Sequence, residues 1–335
     1  MRVSDGWLGS TAMRRKLRSP LPQRHGLDAV RLRTPAEGPW VTIRDHLVDR
    51  LPRVAPGRID AMLREQRIVD LDGPVAPNAP FLPEHFLWFH RDLPVEVPVP
   101  FEIDIVHRDA DLLVVDKPHF LATIPRGKHI VQTALVRLRR ELELPALSPA
   151  HRLDRVTAGL IMFVIRPERR GAYQTLFRDR LVHKTYQAIA RYDPTLDLPC
   201  TLRSRITKER GVITAQEVPG PPNAETLVEL MEHRDGLGRY RLTPTTGRTH
   251  QLRLHMSGLG VPILGDDFYP MLTETPLDDF TRPLQLLATT LEFTDPISGE
   301  QRRFQSGATL RAWTGYDDWA RTGAFDASAA RVRRP

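Results

Sequence analysis

A chain of 335 residues with 41% apolar residues is long enough for one large domain or two smaller ones and can form a hydrophobic core. Its formal net charge of +7 favours a polyanionic partner such as nucleic acid, although a merely basic soluble protein would show the same excess. The single cysteine, Cys200, excludes an internal disulfide and a cysteine-based metal cluster. No signal-peptide stretch or apolar run of membrane-spanning length occurs, so we expect a cytoplasmic protein without a membrane partner.

The N-terminal third predicts two segments with different properties. Residues 1–40 are rich in Arg, Pro and Gly and lack periodicity, so we expect a flexible arm that holds most of the positive charge. Residues 41–95 predict a small α/β domain with two helices, the second presenting Ile59 and Met62 on one face, followed by short strands. VEVPVPFE (95–102) predicts a linker.

The remaining chain alternates strands with a few helices and predicts a larger domain. Strands are predicted at IDIVH (103–107), LLVVDKP (112–118), GLIMFVI (159–165), KTYQAIARY (184–192), ETLVELMEH (225–233) and RYRLTPTT (239–246), with a final hairpin of LLATTLEF (286–293) and QRRFQS (301–306). Helices are predicted at 129–144, 167–182 and 247–260. Because several strands follow one another directly, we expect a mixed α/β (α+β) fold with a largely antiparallel sheet.

The stretch HRLDRVTAGL (151–160) places one carboxylate between two arginines, immediately before an apolar strand. A neighbouring guanidinium keeps a carboxylate ionised, so Asp154 between Arg152 and Arg155 is a candidate nucleophile or general base. A structural Asp–Arg pair that caps a turn would give the same pattern, and the stretch alone does not decide between these interpretations.

A second polar stretch, GRTHQLRLH (247–255), places His250 and Arg253 three residues apart on one helix face, with Arg248 on the other side. Such an exposed face is either simply solvated or binds phosphate. The sequence contains no HExxH, P-loop or complete GxGxxG motif, so neither a metal nor a cofactor is indicated.

A third stretch, KTYQA (184–188), places Tyr186 on the same strand face as Lys184. A tyrosine on a strand more often belongs to the core than to a site. None of the three stretches identifies a function by itself.

The order of the three stretches is more informative than any one of them. HRLDRVTAGL, KTYQA and GRTHQLRLHMSGLGVPILGD follow one another after LLVVDKP, and this arrangement closely resembles the RluA-type pseudouridine synthase family over roughly residues 101–308. The resemblance implies an enzyme that converts uridines in ribosomal or transfer RNA to pseudouridine without cofactor or metal, and we expect it to be a monomer. Residues 41–95 more loosely resemble the small RNA-binding domain that many members carry in front. We therefore expect a catalytic domain over 101–315 and a C-terminal tail over 316–335.

The resemblance also implies roles for three catalytic residues. Asp154 is similar to the catalytic aspartate of the family, and Arg253 to the arginine that pairs with it. Tyr186 is similar to the tyrosine that stacks on the target base and assists proton removal.

Further residues are implied in RNA binding and in the pocket. Arg152 is similar to the arginine that enters the RNA helix where the base has left. Leu286 or its neighbour Leu287 falls at the apolar position that floors the pocket. The resemblance and the charge pattern together predict RNA contacts from Arg155, Lys184, Arg248 and His250.

The chemistry of the reaction is compatible with one carboxylate. The enzyme must break a C–N glycosidic bond, rotate the freed uracil and re-form a bond through C5. Asp154 can attack the sugar or abstract a sugar proton to give a glycal, and both routes stay open. A hydrolase would more usually need a second carboxylate to activate water, and the motifs contain none.

Two alternatives remain, a non-catalytic RNA-binding protein of the same fold and a nucleoside-acting glycosidase. The sequence also departs from the family pattern: Ala158 stands where Ser is usual, Leu287 where many members have His, and Asp295–Pro296 replaces His-Pro. These departures indicate a divergent branch and leave the RNA and the modified uridine open.

Overall fold

The structure is a computed structural model that describes residues 18–321. The chain divides between Asp92 and Leu93 into two compact units. None of the helices within the described range is long and apolar enough to cross a bilayer.

The small N-terminal unit combines a three-stranded antiparallel sheet with two helices. Its elements are β1 (Val30–Arg33), α1 (Ile43–Arg50), α2 (Pro56–Arg64), β2 (Ile68–Val69) and β3 (Phe86–Phe89), and the strand order is β1-β3-β2. The helix α1 begins at a capping box between Thr42 and Asp45, which satisfies free amide groups at its first turn. The apolar faces of both helices pack with Leu87 of the central strand.

The structure places the start of this unit earlier than the sequence analysis did. Residues 30–33, assigned to the flexible arm, pair with Phe86–Phe89 from Val30 opposite Phe89 to Arg33 opposite Phe86. A strand of four residues is too short to show an alternating pattern in the sequence. Its hydrogen bonds to the central strand identify it in the structure. Of the predicted arm, residues 1–17 lie outside the described residues.

The second unit contains a large mixed sheet with helices on its faces. Its elements are β4 (Asp104–Arg108), β5 (Leu112–Lys117), α3 (Ala134–Glu141), β6 (Ser148–Pro149), β7 (Ala158–Val164), α4 (Arg170–Arg178), β8 (His183–Arg191), β9 (Cys200–Thr207), β10 (Gln216–Val218), β11 (Ala224–Arg234), β12 (Leu237–Pro244), α5 (Gln251–Gly258), β13 (Leu286–Thr294), β14 (Gln301–Gln305), α6 (Arg311–Thr314) and α7 (Tyr316–Ala320).

The strand order of the large sheet is β10-β9-β11-β12-β8-β13-β7-β5-β4, with β14 beside β13 and β6 beside β7. Among the described strands, β13 and β7 pair in parallel and the other pairings of this sheet are antiparallel. The prediction of a mixed fold with a largely antiparallel sheet is confirmed. The central strand β7 is buried along its whole length, with Ile161 and Phe163 in one core and Leu160 and Met162 in the other.

The element boundaries of this unit differ from the sequence analysis at several positions, and the helix predicted at 167–182 is shortened to Arg170–Arg178. The helix predicted at 129–144 is confined to Ala134–Glu141, where Thr133 accepts a hydrogen bond from Val136 N–H as its N-cap. Strands β9 and β10 were not predicted. The tail assigned from residue 316 begins with α7, whose Trp319 is buried and donates from Nε1 to the Pro283 carbonyl at 3.1 Å. Residues 322–335 of that tail lie outside the described residues.

Candidate active site

A pocket, called here the active pocket, opens between the loop 151–157, the strand β8 and the segment that leads into α5. Eight of the predicted site residues line it: Arg152, Asp154, Lys184, Tyr186, Arg248, His250, Arg253 and Leu286. The three stretches that are far apart in the sequence therefore meet in space. Within the described part of the chain, Asp154 is the single carboxylate in this lining.

The loop 151–157 that carries Asp154 is fixed by polar side chains from a neighbouring segment. The buried Thr123 hydroxyl donates to the Leu153 carbonyl at 2.8 Å and accepts from the Leu153 N–H at 3.2 Å. His119 donates from Nδ1 to the Val156 carbonyl at 2.8 Å. The backbone of Leu153 and of Val156, on either side of Asp154, is thus held by side chains that the sequence analysis did not single out.

The ammonium group of Lys117 also contacts the loop 151–157. It donates to the carbonyl oxygens of Pro118 and Leu121 at 2.8 Å and of Arg155 at 3.3 Å. Burial lowers the pKa of Lys117 to about 7, and the charge of Asp154 opposes that shift. A basic residue at the end of the apolar LLVVDKP strand is the signal from which this role could have been inferred.

The point at which the loop 151–157 joins β7 is determined by a close contact between the backbones of β7 and β13. Gly159 has φ of +109° and lies opposite Ala288 in the parallel pairing of β7 with β13. A Cβ atom at Gly159 would come within 2.3 Å of the Ala288 carbonyl oxygen. Only glycine combines this conformation with this proximity, so it fixes where the loop 151–157 joins the sheet.

The alternation of side chains along β13 decides between the two candidates for the pocket floor. Leu286 pairs with Ala188 of β8 and belongs to the core on the pocket side. Leu287 belongs to the opposite core, with Trp319, and does not line the pocket. Successive residues of a strand point to opposite faces, so only one of the two leucines could floor the pocket.

The surroundings of Asp154 differ from the expectation that flanking arginines hold its charge. Among the described residues, the one basic side chain within 4 Å of its carboxylate is the His250 imidazole, whose Nε2 lies 3.9 Å from Oδ2. Arg152 lines the pocket without forming an ion pair with Asp154. Arg155 lies outside the pocket lining, with its guanidinium 5.8 Å from the Phe120 ring centre. Arg152 therefore shares the pocket with Asp154 without reaching its carboxylate, whereas Arg155, in the turn that follows, packs against Phe120.

His250 is oriented by a buried polar contact. Its Nδ1 lies 2.9 Å from the Tyr269 hydroxyl, which donates to the Ala215 carbonyl and accepts from the Ala215 N–H. The single hydroxyl proton of Tyr269 is donated to the Ala215 carbonyl, so His250 must be the donor in its contact with Tyr269. We therefore assign a proton to Nδ1 of His250, whose Nε2 faces Asp154. Burial lowers the pKa of His250 and the Asp154 charge opposes this. His250 was predicted as an RNA contact, and its position is beside the carboxylate.

Arg253 does not contact Asp154 as expected. Its guanidinium forms a two-point ion pair with Asp266, at 2.8 and 2.5 Å, and reaches Asp267 at 2.8 Å. Burial disfavours the charge, but the Asp266 carboxylate outweighs it and raises the pKa of Arg253. The face of α5 that carries Arg253 was expected to be exposed, but it is buried. Asp266 and Asp267, which follow this helix in the sequence, neutralise the buried charge of Arg253. The charge of Asp154 still acts on it at longer range.

Tyr186 lies on the pocket side of β8, opposite Ala288 and Leu242 of the neighbouring strands. Its hydroxyl has no hydrogen-bond partner among residues 18–321 and is therefore available to a ligand. Burial, with a smaller contribution from the charge of Asp154, raises the pKa of Tyr186 well above its usual range. The phenol is therefore protonated near neutral pH. Within the same described range, no group of three His, Cys, Asp or Glu side chains is placed to hold a metal ion.

Comparison with known proteins connects this pocket with an enzyme family. The family described as RNA pseudouridylate synthase matches residues 111–258. The dual-specificity RNA pseudouridine synthase RluA of Haemophilus influenzae is 33% identical over 213 residues, which are 61% of this chain and 92% of that protein. The protein of the same name from Pasteurella multocida is 35% identical over 217 residues, with the same two shares.

Two solved structures share the fold. Human RNA Pseudouridylate Synthase Domain Containing 4 superimposes with a TM-score of 0.51 at 24% identity, over 64% of this chain and 92% of that one. Human RNA Pseudouridylate Synthase Domain Containing 1 gives 0.50 at 23%, over 71% and 98%. At these identities the likeness concerns the fold.

The sequence relatives and the shared fold together define the class. The chain belongs to the RluA-type pseudouridine synthase family. It is an RNA pseudouridine synthase, an enzyme that isomerises uridine in RNA to pseudouridine. The predictions of family, fold class and enzymatic activity are confirmed.

Proposed function

We propose that Asp154 is the carboxylate with which this enzyme acts on the target uridine. The observation that supports this most is its position as the single carboxylate among the described residues that line the active pocket. Asp266 and Asp267 lie nearby, but both are engaged with Arg253. A glycosidase would more usually present a second carboxylate to activate water, which favours isomerisation over hydrolysis at this site.

The reaction proceeds in two halves around one carboxylate. In the first, Asp154 either attacks C1′ of the ribose as the uracil leaves or takes a ribose proton as the C1′–N1 bond breaks and a glycal forms. In the second, the uracil turns and C1′ bonds to C5 as the Asp154–C1′ ester breaks or, on the glycal route, as Asp154 returns its proton to the ribose; the C5 proton is then released and N1 is protonated. The contacts from Thr123 and Lys117 keep the carboxylate positioned through both halves.

Tyr186 is proposed to contact the uracil in both halves of the reaction. Its ring offers a stacking surface to a base that has left the RNA stack, and its hydroxyl is free to bond the base. Because the phenol is protonated, it can take up the C5 proton only as it gives up its own, and the Asp154 carboxylate, whose charge acts on Tyr186, is the proposed acceptor. Arg253 is proposed to stabilise the pocket through its charge and its pairing with Asp266. Leu286 is proposed to form the floor of the pocket.

The RNA substrate is proposed to be ribosomal or transfer RNA, in line with the dual-specificity enzymes that the chain resembles. Arg152, Lys184 and Arg248 surround the pocket entrance and are proposed to contact the RNA backbone. We also infer that the small N-terminal unit contributes to RNA binding. Arg31 and Arg33 lie over the Phe86 ring at 5.3 and 5.6 Å, and such paired charges and aromatic rings suit nucleic acid.

The test of this proposal is the substitution Asp154→Asn, which keeps the shape and removes the charge. We expect single-turnover release of tritium from RNA labelled at uridine C5 to fall by about 10²-fold or more, with RNA affinity within a few-fold of wild type. Asp278→Asn, which changes an exposed aspartate outside the pocket, is the matched control. Turnover by Asp154→Asn near that of the control would contradict the proposal, and release of free uracil by wild type would point to a glycosidase.

A further inference from the structure

A second cavity, called here the cationic cavity, continues from the active pocket toward the end of α4. Five basic side chains line it: Arg152, Arg178, Arg180, Lys184 and Arg248. Three of these also line the active pocket, as does Tyr186. The two cavities therefore share a wall, and a ligand that leaves the active pocket on this side enters the cationic cavity.

The charges of the cationic cavity are only partly neutralised by the protein. Arg178 pairs with Asp179 at 2.7 Å. Within residues 18–321, neither Arg180 nor Lys184 has a carboxylate within 4 Å, and the same holds for Arg152. Burial, followed by the charge of Arg180, lowers the pKa of Lys184, so the two cations disfavour each other in the absence of an anion.

His151 is the sixth basic residue that lines the cationic cavity, and it does not add a charge. Its Nε2 accepts from the Met162 N–H at 3.1 Å, and its ring stacks on Phe177 with 4.3 Å between ring centres. Burial lowers the pKa of His151 to about 3, so the ring stays neutral near pH 7. The positive charge of the cavity that no carboxylate of the described residues neutralises within 4 Å thus comes from Arg152, Arg180, Lys184 and Arg248.

We propose that the cationic cavity binds a phosphodiester group of the RNA strand adjacent to the target uridine, with Arg180 and Lys184 as its main ligands. This inference rests on the proposed assignment of the active pocket to the uridine. A strand whose uridine reaches Asp154 must continue out of the pocket, and the shared wall leads its backbone to these two cations. The planar guanidinium of Arg180 can bind two phosphate oxygens at once, and the Lys184 ammonium supplies a point charge.

The backbone of Arg180 makes a discriminating variant available. Arg180 follows α4 with φ of +60°, as Glu143 follows α3 with φ of +55°. Each residue comes immediately after a helix C-cap, where glycine is the residue of lowest backbone cost. Arg180→Gly should therefore keep or raise the thermal unfolding midpoint while removing the charge. Glu143→Gly makes the same backbone change outside both cavities.

The experiment measures RNA affinity by filter binding at several salt concentrations for wild type, Arg180→Gly and Arg180→Gln. We expect both variants to lose about tenfold in affinity, as for one charge-assisted contact, and the slope of log affinity against log salt to become shallower by about 0.7–0.9. In tritium release, the loss should appear in KM more than in kcat. Glu143→Gly and the exposed Arg140→Gln are the controls.

The outcomes separate this inference from the proposed function. An unchanged salt slope in both Arg180 variants, or an equal change in Arg140→Gln, overturns the phosphodiester site while the role of Asp154 stands. A loss in kcat with unaltered KM also overturns it, because it would place Arg180 in the chemistry. If Asp154→Asn retains turnover, the proposed function fails, whatever the salt slopes show.

Discussion

The hydroxyl of Thr123 offers the sharpest test of how the loop 151–157 is held. Thr123→Val keeps the shape of the side chain and removes its hydrogen bonds, while Thr123→Ser keeps the hydroxyl. The loss of the Thr123 hydroxyl in Thr123→Val leaves the N–H and the carbonyl of Leu153, a residue only 8% exposed, without their hydrogen-bond partner. An unsatisfied buried group costs about 1–3 kcal/mol, so the loss of partners for two groups should lower the free energy of unfolding by about 2–6 kcal/mol in Thr123→Val.

The same change should affect catalysis, because Leu153 directly precedes Asp154. A displacement of a catalytic group by about 1 Å can cost about 10²-fold in rate. We therefore expect single-turnover tritium release by Thr123→Val to fall by about 10–10²-fold at a temperature where it is folded, with RNA affinity little changed. Thr123→Ser should retain most of the wild-type rate.

Urea unfolding and tritium release together check this prediction. With a slope of about 2 kcal/mol per molar urea, the expected midpoint shift is about 1–3 M. A lowered midpoint with a wild-type rate would show that Asp154 is positioned without Thr123. A wild-type midpoint would show that Leu153 finds other partners, and the reasoning from buried hydrogen bonds would be refuted.

Two further predictions concern the pocket and the loop. Tyr186→Phe should keep base stacking, worth about 1–3 kcal/mol, and therefore bind RNA within a few-fold of wild type, while losing about 10²–10⁴-fold in tritium release; turnover like wild type would leave Tyr186 as a stacking surface only. The pKa of His151 is depressed by folding to about 3, so the unfolded chain binds more protons between that value and about 6.5, and the free energy of unfolding should fall as the pH is lowered through this window. His151→Gln, which can still accept from Met162 N–H but does not titrate, should show a smaller fall, and an equal fall would contradict the assignment.

The fold was largely predictable because most strands of the large sheet are apolar or alternate. The central strand β7 reads as a continuous apolar run, and it is buried on both faces. The strand β9 was missed because Ser204 stands where an apolar residue would continue its alternation, and its position follows from pairing with β11 rather than from its own composition. Such strands are specified by their neighbours.

The site was predictable where a motif places residues directly in the pocket, and not where contacts depend on distant segments. Asp154, Tyr186 and Arg253 line the active pocket together, as expected. The partner of Arg253 could not be read from the motif, because Asp266 reaches it only through the turn that follows α5. Thr123 was also missed, since its contact with Leu153 spans segments that have no common pattern.

The position of β13 has a consequence for how this enzyme is made on the ribosome. The strands β7 and β8 are successive long strands of the sheet, yet they do not pair, because β13 inserts between them. A nascent chain that ends before Leu286 already contains every catalytic residue proposed above, but its strands β7 and β8 lack the strand that joins them in the sheet. Translation must therefore supply β13 before the pocket can close, and a message truncated before this strand would yield a complete set of motifs without a site.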